Sequence, residues 1–441
     1  MNLNRRVWAL SGPMMLSNIA LPLLGLVDTA VMGHLDSAVY LAAVSVGAMI
    51  LHFIFWGFGF LRMSTVGLAA QAYGENNAQE LRQLLLRAGM TALFIALLLL
   101  ASQHYLIEWA LYLVQPGDSI RLLTIEYFNI RIWSAPATLL TYVLLGWFLG
   151  IQKARLVLYV MVFVNALNIV LDILFVVGLG LTVKGVAFAS LISEYAGLLL
   201  AIYLVYRQIS TIKGRCQWAV ALHWPAFRKL ISLNLDIFIR TITLLFVFAF
   251  FTTQSARSGA VVMAANAVLL QFLTFMAYVL DAYAHAAEAM VGQALGHRNK
   301  QQLMQTVNAC MKWSAGSAVL FMLVYLLLGE QILALLTDIE EVKIFAAQYV
   351  YWLAFMPLIA VWSYLFDGVF IGATWSREMR NVMLMAVLIV YLPVWILTQS
   401  LHNHGLWLAM FLFLLARGGL MAWYYRKKLT TINFEAVSNR D

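Results

Sequence analysis

The sequence predicts an all-α polytopic membrane protein, about twelve transmembrane helices arranged as two pseudo-symmetric six-helix bundles. Three observations carry this. The 441 residues are 63% hydrophobic and 11% charged, with a mean hydropathy of +0.85. A soluble domain of that size could not bury so much apolar surface. Apolar runs of about twenty residues, long enough to cross a bilayer, recur along the whole chain. The second half of the chain also repeats the first at a fixed offset.

The apolar runs lie at roughly 7–32, 39–70, 88–113, 122–149, 155–178 and 184–206, then at roughly 231–256, 261–293, 313–336, 345–372, 381–400 and 405–425. The repeat is read from short motifs. Gln71-Ala72, Gly74, Asn77 and Leu81 match Gln293-Ala294, Gly296, Asn299 and Leu303, each 222 positions later. The same offset carries Gly146, Phe148 and Gly150 onto Gly368, Phe370 and Gly372. Matched helices run in the same direction, so the repeat is parallel, about an axis along the membrane normal. The polar stretch 208–228 divides an N-terminal lobe, 1–207, from a C-terminal lobe, 229–441.

Orientation follows from the basic loop residues. About twenty of them, from Arg5 and Arg6 through Arg82, Lys153, Arg228, Arg298 and Arg377 to Lys428 and Arg440, fall on one side. Arg121, Lys184, Arg257 and Lys343 fall on the other, which places both termini in the cytoplasm. The net charge of +8 is then topology and contact with anionic lipid, not a nucleic-acid footprint. The basic, apolar N-terminus is too long for a cleaved signal and reads as a retained helix. Cys216 and Cys310 fall on the cytoplasmic side and make neither a disulfide nor a metal site.

Helix 1 carries Asp28 within an otherwise apolar run and is interrupted by Pro13 and Pro22. A carboxylate at membrane depth costs at least a few kcal/mol even on the lenient scales. Each proline removes a backbone hydrogen bond, so helix 1 reads as a moving part with an ion or proton site. In helix 5, Asn165, Asn168 and Asp172 are spaced to share one face, and Ser190 of helix 6 can join them. Together with Asp28 they would form an oxygen-rich pocket that could load a proton or hold a sodium ion. An Asn–Asp network that glues helices is the structural alternative.

In the second half, helix 8 presents Gln271, Thr274, Tyr278, Asp281, His285 and Glu288 along one face. Asp367 of helix 10 has Ser363 and Tyr364 one turn earlier. These residues either line a cleft for a cationic substrate, with Tyr278 as its aromatic face, or form an internal polar network. Asp236 and Arg240 stand at ion-pair spacing. Arg62 and Arg417, and Glu126 with Arg131, are expected to snorkel or pair. No phosphate-binding glycine loop, zinc-protease motif or nucleophile elbow is found, so the protein is not expected to be an enzyme. An ion gradient is the expected energy source.

Leu26-Val27-Asp28-Thr29 with Gly33-His34-Leu35, the Gln71-Ala72 and Gln293-Ala294 pair, and Asn168-Ile169-Val170-Leu171-Asp172 together resemble the MATE (multidrug and toxic compound extrusion) family. Phe60-Leu61-Arg62-Met63-Ser64-Thr65 and the Asp367–Thr374 segment are similar to its DinF-type branch. The resemblance implies a V-shaped pair of six-helix lobes in the bacterial inner membrane. It implies export of cationic and lipophilic drugs in exchange for protons or sodium ions; no other cofactor is expected, and the protein is expected to be a monomer. It also implies an ion site at Asp28, Asn168 and Asp172, with Ser190 standing where related proteins have threonine, and a bend of helix 1 at Pro13. Asp367 matches the helix 10 aspartate of a second-lobe cation site in other branches, but helix 7 lacks the accompanying glutamate. Protons are therefore the expected coupling ion, with sodium at Asp28 and Asp172 as the alternative. A flippase for a lipid-linked precursor is a further alternative. It would want a cationic cleft, whereas the midplane charges, Asp28, Asp172, Asp281, Glu288 and Asp367, are mainly acidic.

Overall fold

A backbone crossing hydrocarbon has no water to bond, so a chain of this composition must close its hydrogen bonds within helices. A computed structural model describes residues 2–33, 37–212 and 223–431, with the backbone alone for 21–33. The described residues form twelve long helical rods in sequence order, with one short further helix, Glu340–Ala347, ahead of the tenth. They are α1 (Leu3–Gly33), α2 (Ala38–Gly74), α3 (Ala78–Val114), α4 (Asp118–Gly150), α5 (Ala154–Gly178) and α6 (Val183–Thr211). The second set is α7 (Trp224–Arg257), α8 (Ala260–Gly296), α9 (Lys300–Leu336), α10 (Val350–Gly372), α11 (Ser376–Leu397) and α12 (Asn403–Thr431). All except α1, whose side chains are described only in part, are long and apolar enough to cross a membrane.

Several helices overrun their apolar runs. Helix α3 starts at Ala78 rather than near 88, and α9 at Lys300 rather than near 313. Their polar first turns are held by capping asparagines: Asn77 accepts the Glu80 N–H at 3.0 Å and Asn299 accepts the Gln302 N–H at 2.8 Å. These are repeat-related positions, and the correspondence extends along the backbone. Asn76 and Arg298 have φ of 54° and 53°, and Gln152 and Thr374 have φ of 62° and 55°.

It extends to packing as well. A Cβ on Gly146 would fall 2.5 Å from the Arg62 carbonyl oxygen, and one on Gly368 would strike the Ala284 carbonyl, 222 positions further on. Gly150 likewise lies against Val66 and Gly372 against Glu288. The glycines at i and i+4 let α4 press backbone to backbone on α2, and α10 on α8. By the same logic α4 and α10 are the most buried spans of their halves.

The chain divides into two compact units: residues 16–231, and residues 232–441 together with 1–15. The first turns of α1 thus group with the second half, where the sequence reading placed them with the first. The reason is visible in side chains. Arg6 donates to Gln293 at 2.5 Å, Asn4 accepts from the Trp313 indole at 3.3 Å, and the Trp8 ring meets Tyr283 and Trp313 edge-on at 6.0 and 5.1 Å. The division falls two residues beyond Pro13, which is half-buried in a helix that continues through it.

Candidate functional site

In the first unit, the buried face of α5 carries Asn165, Asn168 and Asp172. The spacing of three and four residues aligns them, and the face packs on α6. Asn168 donates from Nδ2 to the Ser190 hydroxyl at 3.3 Å, while its Oδ1 accepts nothing among the described residues. Asn165 donates to the Ala20 carbonyl of α1 at 3.2 Å. Asp172 is 0% exposed. Directly after it the helix widens into a π segment, Ile173–Gly178, in which the Leu179 N–H reaches the Leu174 carbonyl at 3.0 Å. Such segments are rare and gather at functional positions. The structure thus brings Asn165, Asn168, Asp172 and Ser190 to one α1–α5–α6 seam. The side chains of Asp28 and Pro22 lie outside the described residues, as does Cys216.

One turn along α6 from Ser190 stands Glu194, which the sequence reading passed over. Arg131 donates from Nη2 to its Oε1 at 2.5 Å, and the Thr138 hydroxyl donates to Oε2. The other nitrogen of Arg131 donates to Ser134 at 2.5 Å. A turn of 3-10 helix, Ile132–Ser134, interrupts α4 here and sets Arg131 and Thr138 on the same side. Glu126, which the sequence grouped with Arg131, instead meets Lys184 at 2.9 Å. No spacing rule reveals Glu194: it stands alone in an apolar helix and its partners come from another.

The second unit is arranged differently. His285 Nδ1 and Glu288 Oε1 are 3.1 Å apart and both residues are buried on α8, with Tyr278 and Asp281 half-buried further along. Asp367 does not stand open: Arg240 of α7 and Arg417 of α12 both donate to its Oδ2. Asp281 lies in the field of Tyr364 and Arg417. The expected Asp236–Arg240 pair is therefore corrected. Asp236 takes Arg380 at 2.5 Å and Ser376 at 2.9 Å, leaving Arg240 to Asp367. Spacing along one helix lost to partners supplied by neighbouring helices. Cys310 is buried.

Two six-helix halves, matching at the level of caps, positive-φ residues and glycine contacts, invite comparison with known families. The MatE family model matches this chain twice, over residues 13–174 and again over 237–396. The chain belongs to the MATE family. DNA damage-inducible protein F of Escherichia coli K12 is 44% identical over 96% of this chain and 92% of its own length. Solved MATE structures share the fold. A Vibrio cholerae MATE transporter, VcmN, superposes with a TM-score of 0.87 at 20% identity, covering 98% of each chain. An outward-facing multidrug resistance MATE transporter of the MOP superfamily superposes at 0.88 with 18% identity, covering 98% of this chain and 96% of that one. MATE proteins are multi-pass efflux transporters, not enzymes, and this chain is one of them.

Proposed function

We infer that this MATE protein exports cationic and lipophilic compounds in exchange for protons. In this reading it works as a monomer in a bacterial plasma membrane, both termini cytoplasmic, with no cofactor beyond the coupling ion. The observation that carries it is the unequal state of the two units' carboxylates. Asp367 already holds two guanidinium groups, so a metal ion there would have to displace two tethered cations. Asp172 is sealed at 0% exposure one turn along α5 from Asn168, which bonds Ser190, and we assign ion loading to this first unit. An ionised carboxylate enclosed in low dielectric is costly, and taking up a proton removes that cost. Asp28 joins the site on the family resemblance. Proton entry would then change the packing of α1, with Pro13 as hinge.

Proteoliposomes holding a cationic dye, driven by an imposed proton or sodium gradient, test the reading. A proton gradient is expected to drive export, and Asp172→Asn and Asp28→Asn to abolish it in folded protein. Export driven by sodium alone would reassign the ion to the alternative, Na+ at Asp28 and Asp172. The buried arginines of the second unit favour a second reading, flipping of an anionic lipid-linked precursor; reorientation of such a lipid with no dye export would establish it.

A further inference from the structure

We propose that Glu194 is a docking carboxylate for transported cations that carry N–H groups (ammonium, amidinium or guanidinium), with Arg131 as a tethered placeholder. This rests on the exporter reading above and adds a recognition site to it. Glu194 and Asp172 sit in different environments: the Asp172 residue is 0% exposed, while the side chains of Glu194 and Arg131 remain 19% and 15% exposed. The ion pair is thus mostly buried without being sealed. Its acceptor geometry is complete, with Arg131 on Oε1 and Thr138 on Oε2.

An empty carboxylate at this depth would be expensive, because removing one partner of a buried pair strands the other charge. Exchanging one N–H-bearing cation for another keeps the carboxylate itself paired, since the charge-assisted hydrogen bonds to Glu194 are conserved and the cost falls on the displaced guanidinium. Arg131 keeps its second anchor at Ser134, so it can release Glu194 without losing every partner. The site also adjoins the ion seam: Glu194 follows Ser190 by four residues on one face of α6, and Ser190 takes the Asn168 amide. A quaternary or phosphonium cation has no N–H to replace those of Arg131 and gains little here.

Equilibrium binding to purified protein in nanodiscs, with no gradient, tests this using pentamidine as the amidinium probe and tetraphenylphosphonium as the N–H-free one. Glu194→Gln is expected to weaken pentamidine about tenfold to a hundredfold, the effect of losing a charge-assisted hydrogen bond, and to leave tetraphenylphosphonium within about twofold. Glu194→Asp should keep the preference for pentamidine. Equal weakening of both probes would make the pair structural and overturn the proposal, as would unchanged pentamidine binding or no pentamidine binding to the wild type. If Glu194→Gln does not fold, Thr138→Val removes one hydrogen bond and should weaken pentamidine alone by a few fold; no change there also overturns it. Pentamidine binding that depends on Glu194 in a protein that exports nothing would sink the exporter reading while sparing this one. Export with binding indifferent to Glu194 would do the reverse.

Discussion

At the scale of the residue, buried charges here are decided by what surrounds each one rather than by its neighbours in sequence. Asp367 is the clearest case. Two arginines from α7 and α12 converge on one of its oxygens, so removing the carboxylate strands two cations. Asp367→Asn is expected to destabilise by about 3–5 kcal/mol, read as a fall in thermal midpoint in detergent. Replacing Asp367, Arg240 and Arg417 together by leucine should recover most of that loss, since packed apolar groups often match a buried ion cluster. The sequence showed that these residues were costly but could not pair them. The i,i+4 spacing of Asp236 and Arg240 was legible, yet Arg380 lies 144 positions from Asp236 and Asp367 lies 127 from Arg240. Glu194 was missed for the same reason, its partners lying 63 and 56 positions away. By contrast Asn165, Asn168 and Asp172 sit on one helix, and their common face could be read directly from spacing.

At the scale of the element, the twelve helices and the repeat were both legible, because apolar length and motif offset are properties of the chain itself. The close approaches were not, since a glycine does not announce which backbone it admits. Gly146 and Gly368 turn out to meet repeat-related carbonyls on α2 and α8. Gly368→Ala should therefore cost about 1–3 kcal/mol through overpacking. Gly12→Ala, where a Cβ would meet nothing within 4 Å, should cost nothing measurable by thermal unfolding. The helix starts were misjudged for a physical reason too. Asn77 and Asn299 cap turns that stand beyond the apolar runs and carry Arg82 and Lys300, so hydropathy alone begins each helix too late.

At the scale of the whole molecule, α1 belongs to two units at once, its first fifteen residues to one and the remainder to the other. Trp8, set edge-on between Tyr283 and Trp313, anchors the short part. Trp8→Ala is expected to raise amide hydrogen exchange in residues 3–12 at least tenfold, the equivalent of about 1.4 kcal/mol of local opening. Exchange in α5 should stay as it was. A matching rise in α5, to which the later part of α1 is joined through Asn165 and Ala20, would show α1 to be held as a single piece.

The division at residues 231 and 232 has a partner in the division at 15 and 16. The opening turns of α7, Trp224 to Ile231, group with the first half, just as those of α1 group with the second. Each repeat therefore lends the start of its leading helix to the other. Two copies of a single six-helix chain making that same reciprocal loan would constitute a domain-swapped homodimer. Fusing them end to end would give the present polypeptide with the swap preserved, so an unlinked half would expose the surface that the missing helix start normally covers.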